Sequence, residues 1–184
     1  YVDGVIVGEV EITGNSRTDI ATARQFLKEK GLHRETSLVQ AMRRQAVSFS
    51  TTAARLYKHD LVKIPRNVFS IAPFIVNSAF SIELYLKTLG QMHNTALKGH
   101  KLTKLFDSLP QEAKQKIAAI GPACAMKHGL PGHVDFRVYL MELNNSFLEW
   151  RYCYEKDRTD EVRIQPTIFV MEVLHEACRE NAKL

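Results

Sequence analysis

The sequence predicts an all-α protein: an antiparallel helical bundle preceded by a short N-terminal strand or an extended arm. Apolar residues recur at helical spacing through most of the chain. Prolines and glycines divide that pattern into segments of ordinary helix length. With 184 residues, 45% of them hydrophobic, the chain is long enough to bury a core. We therefore expect an N-terminal arm over residues 1–16 and a helical bundle over residues 17–184.

The N-terminal half predicts the arm and three helices. Residues 4–12 are rich in β-branched residues and favour a short strand. Asp19 is expected to cap a helix that ends at Gly31, and Ser37 is expected to open a longer helix. A third helix, over residues 74–90, follows a proline-containing connection.

The C-terminal half predicts further helices separated by one loop. A short helix should follow His100 and should be interrupted by Pro110. Residues 121–133 contain three glycines and two prolines, which predicts a loop. Apolar residues then recur at helical spacing over 134–157 and again over 164–182.

Composition narrows the class of protein. The three cysteines are an odd number with no Cys-x-x-Cys pair, which favours a reducing compartment, and we expect a cytoplasmic protein. No apolar run approaches the length of a membrane span, so no membrane association is expected. The net charge of +5 permits binding to phosphates. A local basic cluster contains Lys98, His100, Lys101 and Lys104.

The helix over 74–90 places two charges against its apolar face. On a helical wheel, Glu83 and Lys87 fall in the middle of the apolar arc and lie one turn apart, so they can pair. Charged residues are rarely buried unless they are paired. The pair is either a structural ion pair that fixes the helix register or part of a polar pocket between helices. The sequence leaves both interpretations open.

The predicted helix over 134–157 repeats this arrangement. Asn144, Arg151 and Glu155 lie beside its apolar stripe. The planar guanidinium of Arg151 could reach a carboxylate such as Glu83 or a bound phosphate, or it could extend from the core edge into solvent. The apolar stripe consists of Phe136, Leu140, Leu143, Phe147, Trp150 and Tyr154.

Three segments carry a resemblance to a known family: NSAFSIELYLKTLG (77–90), GHKLTKLFDSLP (99–110) and NNSFLEWRYCYEKD (144–157). They resemble a group of bacterial HEPN proteins, which are nucleotide-binding helical domains. The resemblance covers roughly residues 70–160. It implies an up-and-down bundle, commonly a homodimer, that binds RNA or nucleotide, with an antitoxin or another protein as a possible partner. Many members are metal-independent ribonucleases of toxin–antitoxin or anti-phage systems.

The chain departs from the ribonuclease members at one motif. Those proteins carry an Arg followed, after four to six residues, by a His. Arg151 fits the first position, but Lys156, Asp157 and Arg158 stand where the His is expected. None of the seven histidines in the chain follows an arginine with four to six residues between the two. The sequence therefore leaves open whether the protein is an enzyme.

We predict that Glu83, Lys87 and Arg151 converge in space, and the resemblance implies that His100 joins them. Three of them, Arg151, His100 and Glu83, are the candidate catalytic residues, with His100 exchanging a proton at the start of a helix. The candidate binding residues are Lys87, Asn144, Tyr152 and Glu155.

No metal or cofactor is expected. The spacing of Cys124, His128 and His133 matches no standard zinc site, and the chain has no phosphate-binding glycine motif. The alternative to RNA binding is a non-catalytic interaction or regulatory module. In that case the charged core is structural and the outer surface binds a partner chain.

Overall fold

The computed structural model describes residues 2, 5–132, 135–152 and 163–179. The chain forms two compact units, Tyr1–Ser37 and Leu38–Leu184, so the expected boundary after residue 16 falls inside the first unit. All regular elements within the described ranges are helical, which confirms the all-α class. The N-terminal arm contains one isolated antiparallel bridge, Val2–Val5, and no strand among its described residues.

The first unit consists of the extended arm and helix α1 (Ser16–Glu29). Asn15 caps this helix, because its side chain accepts two backbone N–H groups of the first turn. The prediction of Asp19 as the cap is wrong. Asp19 lies in the first turn and accepts hydrogen bonds from the backbone N–H and the hydroxyl of Thr13. Gly31, with a φ of +66°, follows the helix end as predicted.

The second unit is a helical bundle in which the first two long helices are antiparallel. Tyr57, just after α2, contacts Phe74 near the start of α3, with ring centroids 6.4 Å apart. Phe49, earlier in α2, contacts Phe80, later in α3, at 4.6 Å. The helices of this unit are α2 (Leu38–Leu56), α3 (Ile71–Met92), α4 (Leu102–Asp107), α5 (Gln111–Lys127), α6 (Phe136–Leu143), α7 (Ser146–Arg151) and α8 (Ile164–Arg179).

Helix α3 is the central element of this bundle. It packs against α2, α4, α7 and α8. The helical segment Val68–Met92, which includes α3, is long and apolar enough to cross a membrane, contrary to the sequence expectation. However, 56% of its most apolar part is buried inside the protein. Its fully buried large side chains, with those of α8, form much of the core: Phe74, Ile82, Tyr85, Leu86, Leu89, Phe169, Val170 and Leu174.

The predicted loop over 121–133 is wrong in its first half. Helix α5 continues through Gly121 and Pro122 to Lys127. A proline inside a helix removes one backbone hydrogen bond. Here the flanking turns bury Ile117 and Ala125 in the core, and this burial holds the helix together across the proline.

The predicted long helix over 134–157 is interrupted. Its described part forms α6 and α7, separated by a turn at Asn144 and Asn145. Asparagine favours turns because its side chain competes for backbone hydrogen bonds. Residues 153–157 of this predicted helix lie outside the described residues, as do residues 180–182 of the last predicted helix.

Candidate functional site

The buried carboxylate of Glu83 is the centre of the candidate site. Glu83 lies in the middle of α3 and is only 5% exposed. Lys87, one turn later, donates from Nζ to Glu83 Oε1 at 2.7 Å, and its side chain is 20% exposed. The predicted pairing is confirmed. Because the ammonium lies at the boundary with solvent, it neutralises Glu83 without full desolvation.

His100 joins this pair from the loop after α3. Its Nδ1 lies 3.0 Å from Oε1 and 3.2 Å from Oε2 of Glu83. The His100 side chain is nevertheless 83% exposed. Three of the four residues predicted to converge, Glu83, Lys87 and His100, therefore do so. We call this group the Glu83 site.

Two glycines bring His100 back to Glu83. A Cβ at Gly90 would lie 2.6 Å from the carbonyl oxygen of Thr95, so only glycine lets the chain fold back against α3 here. The Thr95 N–H donates to the Gly90 carbonyl at 2.8 Å. Gly99, with a φ of +91°, then makes the turn before His100. The path from Gly90 to His100 thus runs back about two helical turns along α3 to Glu83.

The side chain of Asn144, a predicted binding residue, bonds to helix α4 rather than facing a ligand. Its Oδ1 accepts the Thr103 backbone N–H at 2.9 Å and lies 3.2 Å from the Thr103 hydroxyl. Thr103 is in the first turn of α4, whose N–H groups lack partners within the helix. Asn144 therefore caps α4 from another part of the chain. This helix begins at Leu102, so His100 precedes it and does not open it, contrary to the prediction.

The remaining predicted site residues are less fully described. Helix α7 packs on α3, where Phe147 lies 5.5 Å from Phe80 between ring centroids, and it ends at Arg151. The Arg151 side chain and all of Glu155 lie outside the described part of the chain, so their convergence on Glu83 stays a prediction. Tyr152 is 37% exposed.

The geometry defines what the Glu83 site can do chemically. The Glu83 carboxylate accepts a hydrogen bond from Nδ1–H of His100, which leaves Nε2 as the second functional nitrogen of the ring. The structure records no hydrogen bond from this Nε2 to any described residue. An exposed imidazole with one nitrogen held by a carboxylate can accept or donate a proton at the other. Three exposed lysines lie near it in sequence: Lys98, Lys101 and Lys104.

A second polar group at α3 was not predicted. Tyr85 is fully buried, and its hydroxyl lies 2.8 Å from Ser50 Oγ and 2.9 Å from His175 Nδ1. We call Ser50, Tyr85 and His175 the Tyr85 site. The available signal was the tyrosine itself. It lies one turn from Ile82 on the apolar arc, and a buried hydroxyl needs hydrogen-bonding partners. The sequence does not indicate which distant residues supply them.

The possible zinc ligands do not assemble among the described residues. No group of three histidine, cysteine or acidic side chains there could hold a metal ion. His128 and Lys127 instead pair with Glu172 of α8. Burial raises the pKa of the Cys124 thiol, which disfavours the thiolate that a metal would bind. His133 lies outside the described residues.

Comparisons with known proteins give no family assignment. No protein-family model, curated protein or solved structure matches this chain.

Proposed function

We propose that the protein binds RNA at the Glu83 site and cleaves it there without a metal, with His100 as the proton-transfer group. The observation that carries the proposal is the position of His100. Its Nδ1 is held 3.0 Å from a buried carboxylate, while the side chain is 83% exposed. A histidine with only a structural role has no need for this combination of a fixed ring and an open second nitrogen.

The proposed reaction uses the 2′-hydroxyl of RNA as the nucleophile. His100 Nε2 takes the proton of this hydroxyl as its oxygen bonds to the adjacent phosphorus. The bond from phosphorus to the 5′-oxygen breaks, and the leaving oxygen takes a proton from water. The hydroxide left by that water takes the proton from His100 Nε2, which restores the neutral imidazole. The products are a 2′,3′-cyclic phosphate and a 5′-hydroxyl. Glu83 keeps His100 in the required tautomer and stabilises the imidazolium that forms.

Basic residues supply the attraction for phosphate. Lys98, Lys101 and Lys104 are exposed and lie close to His100 in sequence, and the chain carries a net charge of +5. Binding to a phosphate backbone depends on such cations and weakens as salt rises. Arg151 enters the proposal as a phosphate-holding residue because the sequence predicts it beside the core, and it ends a helix, α7, that packs on α3.

The resemblance to HEPN proteins supplies the biological part of the proposal. It favours a cytoplasmic homodimer with the RNA groove at or near the two-fold interface, and a cognate antitoxin or other protein as a regulatory partner. A mass measurement by light scattering at tens of micromolar checks the dimer. A monomeric mass would contradict this part while leaving the Glu83 site open.

One observation favours the second candidate, a non-catalytic interaction module. Both oxygens of Glu83 are already engaged by Lys87 and His100, and Asn144 serves as a cap. A network in which every charge already has a partner can have a purely structural role, which is to fix the register of the helices. On this alternative, His100 is dispensable for RNA binding, and its replacement alters neither affinity nor RNA integrity.

The decisive experiment compares His100→Gln with His59→Gln, an exposed histidine outside the site. A fluorescently labelled single-stranded RNA is incubated with each protein, and binding, cleavage and the 2′,3′-cyclic phosphate are measured. We expect His100→Gln to slow cleavage by about 100-fold or more, as for loss of a general base, and His59→Gln to match the wild type. RNA that the wild type neither retains nor cuts, or equal behaviour of both variants, would overturn the proposal.

A further inference from the structure

The connection between α2 and α3 carries a concentration of exposed apolar side chains. All eight residues from Val62 to Phe69 are exposed, and they lie between Leu61 and Ser70, which are both buried. Single exposed apolar residues are ordinary, but a group of them in one place is typical of a binding surface. We call residues 62–69 the apolar loop. Its four large hydrophobic residues are Ile64 (92% exposed), Phe69 (86%), Val68 (66%) and Val62 (54%).

Hydrogen bonds close the apolar loop at its base. The Asn67 N–H donates to the Asp60 carbonyl oxygen at 3.0 Å, and the Ser70 hydroxyl donates to the Asp60 carboxylate at 2.5 Å. The side-chain oxygen of Asn67 accepts the Phe69 N–H at 3.1 Å. No residue of the loop is more than three positions from Asp60 or Asn67, so each Cα lies within about 11 Å of this base. The apolar side chains are therefore held in one small projection, although they lie outside the packed core.

The charge on this part of the chain is strongly positive. Residues 36–82 contain six lysines and arginines and one acid, Asp60, and their net charge of +5 equals that of the whole chain. Lys63 and Arg66 lie within the apolar loop, and Lys58 lies four residues before it. These three cations are exposed, and none of them forms an ion pair with a described residue. The loop therefore presents apolar side chains and uncompensated cations together.

The chemistry of the loop separates the kinds of partner that could cover it. The same loop from a second copy of the chain would bring like charges together, which is unfavourable. Single-stranded RNA stacks its bases on aromatic rings, but Phe69 is the only aromatic residue in the loop. An anionic lipid surface suits both groups, because its acyl region takes up apolar side chains and its headgroups attract lysine and arginine. A fluid bilayer also needs no pocket shaped to fit the projection.

We propose that the apolar loop docks the protein on the surface of a membrane that contains anionic phospholipids. Ile64 and Phe69 enter the boundary between headgroups and acyl chains, while Lys63 and Arg66 contact the anionic headgroups. This contact is peripheral and needs no helix that spans the bilayer. It revises the sequence expectation of no membrane association, which rested only on the lack of a spanning segment. It is also independent of Glu83, which lies about 18 Å along α3 from the start of that helix.

The first test measures binding of the full chain to vesicles of phosphatidylcholine with about one third phosphatidylserine, and to vesicles of phosphatidylcholine alone. We expect at least about 10-fold tighter binding to the anionic vesicles, with release as salt rises. Lys63→Gln together with Arg66→Gln should weaken this binding about 30-fold, as for two cations at an anionic surface. Arg24→Gln together with Lys28→Gln removes the same charge from exposed positions on α1 and should have little effect.

The apolar side chains need a separate test. Ile64→Ser together with Phe69→Ser should weaken binding to the anionic vesicles by about 100-fold. Met126→Ser, at a 70% exposed position on α5, should bind as the wild type does. Urea denaturation should give similar midpoints for all these proteins, because the changed side chains are exposed. Phe69→Trp adds a direct signal, since brominated acyl chains should quench the fluorescence of a tryptophan that enters the bilayer.

The outcomes separate a membrane from the other partners. A wild type that ignores the anionic vesicles, binds both kinds of vesicle equally or resists release by salt would overturn the inference. So would a pair of serine substitutions that leaves vesicle binding intact and instead abolishes RNA binding or a dimer seen by light scattering. His100→Gln should bind vesicles as the wild type does, so the result here is independent of the Glu83 site.

Discussion

The two histidines beside α3 are held by different chemical groups at different depths. His100 is bound by the Glu83 carboxylate, and its side chain is 83% exposed. His175 is bound by the neutral hydroxyl of Tyr85 in the half-buried junction of α2, α3 and α8. In both, the structure leaves Nε2 without a described hydrogen-bond partner. The difference lies in the group that orients each ring, which is a charged carboxylate for His100 and a neutral hydroxyl for His175.

Solvent access explains this difference. At the Glu83 site the buried carboxylate is compensated by Lys87 and His100, whose other ends reach water. At the Tyr85 site solvent is further away, and a carboxylate there would cost more to desolvate. Burial accordingly raises the pKa of Tyr85 to about 12 and keeps its hydroxyl neutral. A charged group therefore orients the exposed histidine, and a neutral chain of hydroxyls orients the half-buried one.

The largest expected effect concerns the Tyr85 site. Tyr85→Ala should lower the free energy of unfolding by about 3–5 kcal/mol, because it leaves a cavity among α2, α3 and α8. Tyr85→Phe should lower it by about 1–3 kcal/mol, since Ser50 and His175 each lose a hydrogen bond while the ring stays packed. Urea denaturation measures both values. Equal values would mean that the hydroxyl, rather than packing, accounts for the whole effect of Tyr85.

A smaller loss is expected at the turn that returns His100 to α3. Gly90→Ala introduces a Cβ 2.6 Å from the Thr95 carbonyl oxygen, so the returning segment must move. We expect a loss of about 1–3 kcal/mol, as for other overpacked positions, together with weaker RNA binding. Gly132→Ala, whose Cβ meets nothing within 4 Å, is the control. A Gly90→Ala protein as stable as this control would contradict the close approach.

Removing the buried carboxylate should cost a similar or smaller amount. Glu83→Ala leaves Lys87 and His100 without their acceptor, but both can turn to water, so we expect about 1–3 kcal/mol. Glu35→Ala, at an exposed position, should change stability by less than about 0.5 kcal/mol. A loss above that of Tyr85→Ala would show that the Glu83 site is not open to solvent.

The smallest effect is a pH dependence at His175. Burial is the main cause that lowers its pKa below 6.5, so the unfolded chain takes up the proton first as pH falls. The contribution of neutral His175 to folding stability is fully present above pH 6.5 and is lost as the pH drops below that value. Wild type should lose up to about 1.4 kcal/mol per pH unit more than His175→Gln in this range. Parallel pH profiles of the two proteins would contradict a lowered pKa of the half-buried His175.

The sequence predicted the parts of the fold that depend on local patterns. The apolar spacing of α3 located Glu83 and Lys87 on a buried face, and their separation of four residues predicted their pairing. Residues that usually interrupt helices were less reliable guides to where the helices end. Pro122 lies inside α5 because the flanking turns are buried, and Asn144 interrupts a regular apolar stripe because its side chain caps α4. Both outcomes depend on tertiary contacts that no local pattern contains.

The candidate site was predictable only in part for the same reason. His100 was placed beside Glu83 by the resemblance to HEPN proteins, and the return path depends on Gly90, which reads as an ordinary helix end. The Tyr85 site joins residues 35 and 90 positions apart. Its partners on α2 and α8 meet only when the bundle is assembled, so spacing cannot indicate them.

The most direct test of this account is the tautomer of His100, observed by nitrogen-15 NMR of the imidazole rings. The spectrum is recorded about two pH units above the ordinary histidine pKa, where neutral rings predominate. We predict that His100 carries its proton on Nδ1 in the wild type, and that Glu83→Ala removes this preference without changing His175. A His100 ring protonated on Nε2 in the wild type, or unchanged by Glu83→Ala, would contradict the central claim that Glu83 orients His100.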